Sequence, residues 1–140
     1  MIAKPGSLSV LQAEWQTVIQ MRGRMQELVT STFAFDASTS PAFGDVLYNL
    51  PFRLAFDVLK KVLLQARDEG LVATSQQRLA DLLDSASNTL PWNNWQALRE
   101  AVKRRNEVVF EGKLLGDEQC LQDIADIEVQ LIAWRIITSE

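Results

Sequence analysis

The run Trp95-Gln96-Ala97-Leu98-Arg99-Glu100-Ala101-Val102-Lys103-Arg104-Arg105-Asn106-Glu107-Val108-Val109-Phe110-Glu111-Gly112 decides the fold. At about 100° per residue, Leu98, Ala101, Val102, Val108 and Val109 fall along one stripe, and most charged residues fall away from it. A closing glycine is the usual C-terminal cap. The spacing therefore predicts a helix from about Asn94 to Glu111, ending at Gly112. Two residues break the pattern. Arg105 sits within the apolar stripe, where a guanidinium is costly unless it meets an anion, a wet cleft or a second subunit. Phe110 lies off the stripe, on the side of Arg99, Lys103 and Asn106, where a large ring is expected to be covered by a loop, a neighbouring helix or a partner.

Outward from this run the helical period continues in both directions. Downstream, Asp117 after Gly116 opens a helix that is expected to run nearly to the C-terminus, with Asp117 and Glu118 favourably placed for the helix dipole. Its second half, V-Q-L-I-A-W-R-I-I, is apolar on nearly every side and predicts a core-central or interface helix. Upstream, Thr74 and Gln77 have capping-box spacing for a short helix carrying Leu79, Leu82, Leu83 and Ala86. A helix following Asn49, with Pro51 in its first turn, carries Leu54, Val58 and Val62 and stops at Gly70. The first helix is expected from about Ser9, boxed with Gln12, to Thr30, with Leu11, Trp15, Val18, Met25 and Val29 on one face. Between these two, residues 31–48 read as a loop pinned by Phe33, Phe35 and Phe43. No strand alternation or internal repeat interrupts the series. The expected architecture is one domain, residues 1–140, an all-α up-and-down bundle of about five helices.

Composition narrows the chemistry. The chain has 140 residues, 47% apolar and 23% charged, enough for one core. Its net charge of −4 argues against broad electrostatic binding to nucleic acid or anionic membrane. One cysteine, Cys120, cannot form an internal disulfide, so a cytoplasmic setting is expected. There is no histidine. That excludes Ser-His-Asp and Cys-His catalysis and histidine metal sites. Asp123 and Asp126 lack the spacing of a calcium loop, so neither metal nor cofactor is expected. The apolar stretches near Leu54–Leu64 and Val129–Ile137 fall far short of the ~20 residues of a membrane span.

The segment R-N-E-V-V-F-E-G, Arg105 to Gly112, resembles the signature of the HEPN (higher eukaryote and prokaryote nucleotide-binding) superfamily, commonly R-N-x-x-x-H-x-G. Arg105 matches the family arginine, Asn106 the polar residue after it and Gly112 the trailing glycine. The likeness extends over about Leu98 to Trp134. It implies a homodimer with a cleft between protomers and, in active members, metal-independent RNA cleavage. The arginine there stabilises the phosphorane, and the histidine handles protons at the ribose 2′-hydroxyl. It also implies RNA, a nucleotide or a nucleotidyltransferase-like antitoxin as partner. At the histidine position this chain has Phe110, which can neither give nor take a proton. Losing such a group costs ~10²–10⁴ in rate.

The resulting expectation is a HEPN-like domain without cleavage, lost naturally or by replacement, with Arg105, Asn106, Phe110 and Glu107 marking the former catalytic site. Arg99, Lys103 and Arg104 are candidates for RNA or nucleotide phosphates. Against that stand the i,i+4 pairs expected on the same helix, Glu100–Arg104 and Lys103–Glu107. Two alternatives remain: a plain helical interaction or scaffold domain, and an RNase that uses Glu107 or Glu111 as base.

Overall fold

The computed structural model describes residues 2, 4–35 and 42–138, with side chains left out over 29–46. Five helices order these residues: α1 Pro5–Phe35, α2 Ala42–Asp68, α3 Leu79–Ala86, α4 Trp95–Glu111 and α5 Asp117–Ala133. The protein is an all-α bundle, and no strand occurs among the described residues.

The centre of the bundle is α2, which packs against every other helix. Phe52, Ala55, Phe56, Leu59, Val62, Leu63 and Ala66 are fully buried along it, and Phe52 and Phe56 meet edge to face at 5.0 Å. The apolar tail of α5 was expected to be either central to the core or part of an interface. Helix α5 ends at Ala133, and Arg135, with φ 60°, reverses the chain so that Ile136 enters the core. V-Q-L-I-A-W-R-I-I contains no glycine, so no local signal announces the stop. Val129 remains half exposed while Gln130 and Leu131 are buried.

Several boundaries differ from expectation. The first helix begins at Pro5, not Ser9, because proline suits a first turn whose N–H has no partner to lose. Gln12 is no capping-box residue: its Nε2 donates across the fold to the Ile136 carbonyl at 3.0 Å. The expected 31–48 loop is largely helix, since α1 reaches Phe35 and α2 starts at Ala42. Residues 36–41 and the side chains of Val29, Phe33, Phe35 and Phe43 lie outside the described set. Pro51, expected in the first turn, lies inside α2, where it forgoes one backbone hydrogen bond yet is buried. Thr74 caps nothing: its hydroxyl accepts the Gln76 N–H, and α3 starts later, after Arg78.

Tyr48, the chain's one tyrosine, is buried near the start of α5. Burial, and next the charge of Asp117, push its phenol above the ordinary value of 10.0. A raised folded-state pKa favours the protonated folded form, so stability is held below the unfolded pKa and is lost as pH rises from there through the folded pKa. Phenolate absorbance should titrate above pH 10 in the native protein and near 10 in denaturant. Tyr48→Phe should flatten the stability profile in that alkaline window.

Candidate functional site

Helix α4 is anchored at its beginning and bare at its end. Leu98, Ala101 and Val102 are fully buried, whereas no residue from Lys103 to Glu111 is. The segment leading into it is tied to α5. Gln130, fully buried, accepts the Asn93 N–H through Oε1 at 2.9 Å and donates from Nε2 to the Pro91 carbonyl at 3.3 Å. Trp92 donates to the Ala86 carbonyl and meets Trp134 edge to face at 4.7 Å. At the far end Gly112, with φ 68°, takes the left-handed turn that a side chain would disfavour, and its N–H reaches the Glu107 carbonyl.

What fixes the bare half is Arg104. Its Nε and Nη2 donate to Oδ2 and Oδ1 of Asp123 at 3.0 and 2.7 Å, and Gln119 donates a third hydrogen bond to Oδ1 at 2.9 Å. Asp123 is 0% exposed. The hydrogen bond to this carboxylate, partly opposed by burial, holds the Arg104 guanidinium further above its already high pKa. The expected Glu100–Arg104 pair is therefore not the one formed. A fork-shaped donor reaches a planar carboxylate on α5 with better geometry than a neighbour on its own exposed surface.

The motif arginine sits elsewhere. Arg105 is half-buried, and its Nη1 donates to Oδ1 of the adjacent Asn106 at 3.0 Å. No carboxylate pairs with it among the described residues. The expectation of a cation buried in an apolar stripe is corrected by the course of α4, which leaves the core after Val102. Val108 only partly packs on the core beyond that point.

Arg99 pairs with Asp84 of α3, Nε to Oδ1 at 3.0 Å. Lys103 is exposed and forms no ion pair among the described residues, so the expected Lys103–Glu107 pair is also absent. Phe110, expected to be covered by a loop, a neighbouring helix or a partner, is covered by neither of the first two and is 75% exposed within the chain. It lines an open depression of about 920 Å³ together with Arg99, Lys103, Asn106, Glu107 and Glu111. Arg104 and Arg105 do not line it. The structure thus brings together five of the seven expected site residues around the depression; the two central arginines lie outside its lining, with Arg105 joined to it only through Asn106. Gln96 and Glu100 of α4 and Ala80 of α3 complete the depression, and sequence spacing alone did not mark any of the three as part of a site.

Chemically this surface offers a bare aromatic ring among Glu100, Glu107 and Glu111, with Lys103 as its free cation and Arg99 held by Asp84. Its lining sets three acids against two cations, one of them already paired, a charge balance unfavourable to phosphate. Among the described residues no three cysteine or acidic side chains gather as a metal group, and no helix is long and apolar enough to cross a membrane. No family model, curated protein or solved structure matches the chain.

Proposed function

We propose that this is a HEPN-like domain that binds without cleaving, and that its partner is a protein docked over Phe110. The observation carrying the reading is the 75% exposure of Phe110 on an acid-rim surface. Large aromatics at the centre of a patch are the usual anchors of protein interfaces. Of the three cations assigned to RNA, Arg104 is engaged by Asp123 and Arg99 by Asp84. Lys103 shares the depression with three glutamates. This balance favours a polypeptide presenting an apolar residue beside Lys or Arg over a phosphate chain. An antitoxin-like protein, which the family resemblance implies, fits that chemistry. The homodimer implied by the same resemblance belongs to the proposal and is measured by sedimentation equilibrium.

A photo-crosslinking amino acid at position 110, used in cells, tests the partner class. The expected adduct is a polypeptide segment mixing apolar and basic residues. An RNA adduct, or none, overturns the reading. Phe110→Ala should weaken the complex at least about tenfold, while leaving folding stability within about 0.5 kcal/mol. Phe110→His tests the vestigial site: RNase activity appearing in the folded protein supports descent from a nuclease, and its continued absence removes that part of the proposal.

A further inference from the structure

The geometry points to a second site, a pocket for an apolar α-amino acid between α1 and α5. Both helices pack on α2, but their backbones make no close approach to each other among the described residues. The gap is a cavity of about 560 Å³, within the range of about 300–1,000 Å³ typical of small-ligand sites. It shares no residue with the Phe110 surface.

Its walls divide by chemistry. Trp15, 3% exposed, and Ile19 from α1 face Ile132 and Ile137 from the C-terminal region, and together they offer an apolar slot. Arg22 and Glu128 supply one charge of each sign. Their side chains are 25% and 32% exposed, and their closest approach is 3.9 Å, the outer edge of an ion pair. Beyond this loose ion pair Arg22 forms no side-chain hydrogen bond among the described residues, so its donors remain open to a ligand. The indole Nε1 of Trp15 is buried without an acceptor.

A cation and an anion that meet only at 3.9 Å beside an apolar slot match a zwitterion with a hydrocarbon side chain. The ligand carboxylate takes the Arg22 fork, its ammonium takes Glu128, and its side chain enters among the isoleucines against Trp15. A simple carboxylate would meet Glu128 as a like charge. A peptide terminus carries one of the two charges, not both on one carbon. The free α-amino acid satisfies the charged pair and the apolar slot at once, with Gln12, Gln16 and Thr138 completing the lining.

Calorimetric titration of the full chain with L-phenylalanine and L-leucine tests the site, with glycine, phenylalanine amide and 3-phenylpropionate as probes lacking one feature each. Both apolar amino acids should bind, and each probe should bind at least about tenfold more weakly, since each loses a charged or apolar contact. Arg22→Gln should weaken phenylalanine by about ten- to a hundredfold. Glu128→Gln should weaken phenylalanine yet strengthen 3-phenylpropionate, a crossover that general unfolding cannot produce. Helical circular dichroism confirms that both variants fold. No heat or melting shift with either amino acid up to about 10 mM, a range in which even weak small-ligand binding registers, overturns the proposal. So does binding that both substitutions leave unchanged.

Discussion

Arg104→Ala should lower the stability of the fold by about 3 kcal/mol, near the low end of the ~3–5 kcal/mol seen when one partner of a buried ion pair is removed. The low end applies because the Arg104 side chain is 28% exposed and water weakens its part of the interaction. The loss is still large because Asp123 is wholly buried and would keep one amide hydrogen bond, from Gln119, in place of three. Arg104→Lys keeps the charge and loses the fork, so an intermediate loss is expected. Replacing Arg104 and Asp123 together by methionine and leucine should restore most of the stability, because no uncompensated charge remains. Urea unfolding of the four chains measures this. A single-variant loss below about 1 kcal/mol, the scale of a surface pair, would show that the pair does not hold the end of α4.

The second large effect is expected at Trp134. Truncation to alanine should cost about 3–5 kcal/mol, the usual range for a buried aromatic. Trp134 is buried, lies against the Trp92 ring and donates from Nε1 to the Pro91 carbonyl at 2.5 Å. Trp134→Phe keeps most of the ring contact and loses the donor, so it should cost distinctly less. Hydrogen exchange separates this role from a general core defect. In Trp134→Ala the amides of Asn93 and Leu98 should exchange faster than those of mid-α2. A uniform rise across the molecule would show that Trp134 merely fills space.

The helical class was legible because its cause is local. The 3.6-residue period of Leu98, Ala101 and Val102, and Gly112 at the end of the same run, act within one segment. The bounds of α4 and the start of α5 at Asp117 followed from such signals. Where local signals were weak or misleading, boundaries moved. Pro51 was read as a helix start because proline disfavours a helix interior, yet burial of the α2 face outweighs one missing hydrogen bond. The end of α5 was invisible because Arg135 adopts a backbone conformation that glycine would normally advertise.

The site was legible only in part. Phe110 stood out as a ring on a polar face, and the structure leaves it bare. Asp123, like Arg105, is a charge placed among apolar neighbours, here Cys120, Ile124 and Ile127 on one face of α5. That spacing implies a buried acid needing a cation, although not which arginine supplies it.

By itself, then, the chain determined an all-α fold, the absence of histidine chemistry and the oddity of Phe110, because composition and helical period are properties of neighbours in sequence. Tertiary structure decided that α2 is the centre, that Arg104 rather than Arg105 meets the buried carboxylate, and that a cavity opens between α1 and α5. Each of those depends on how helices cross. Crossing angles turn one face of a helix inward and the adjacent one outward over a single residue, a difference that periodicity along one helix does not specify.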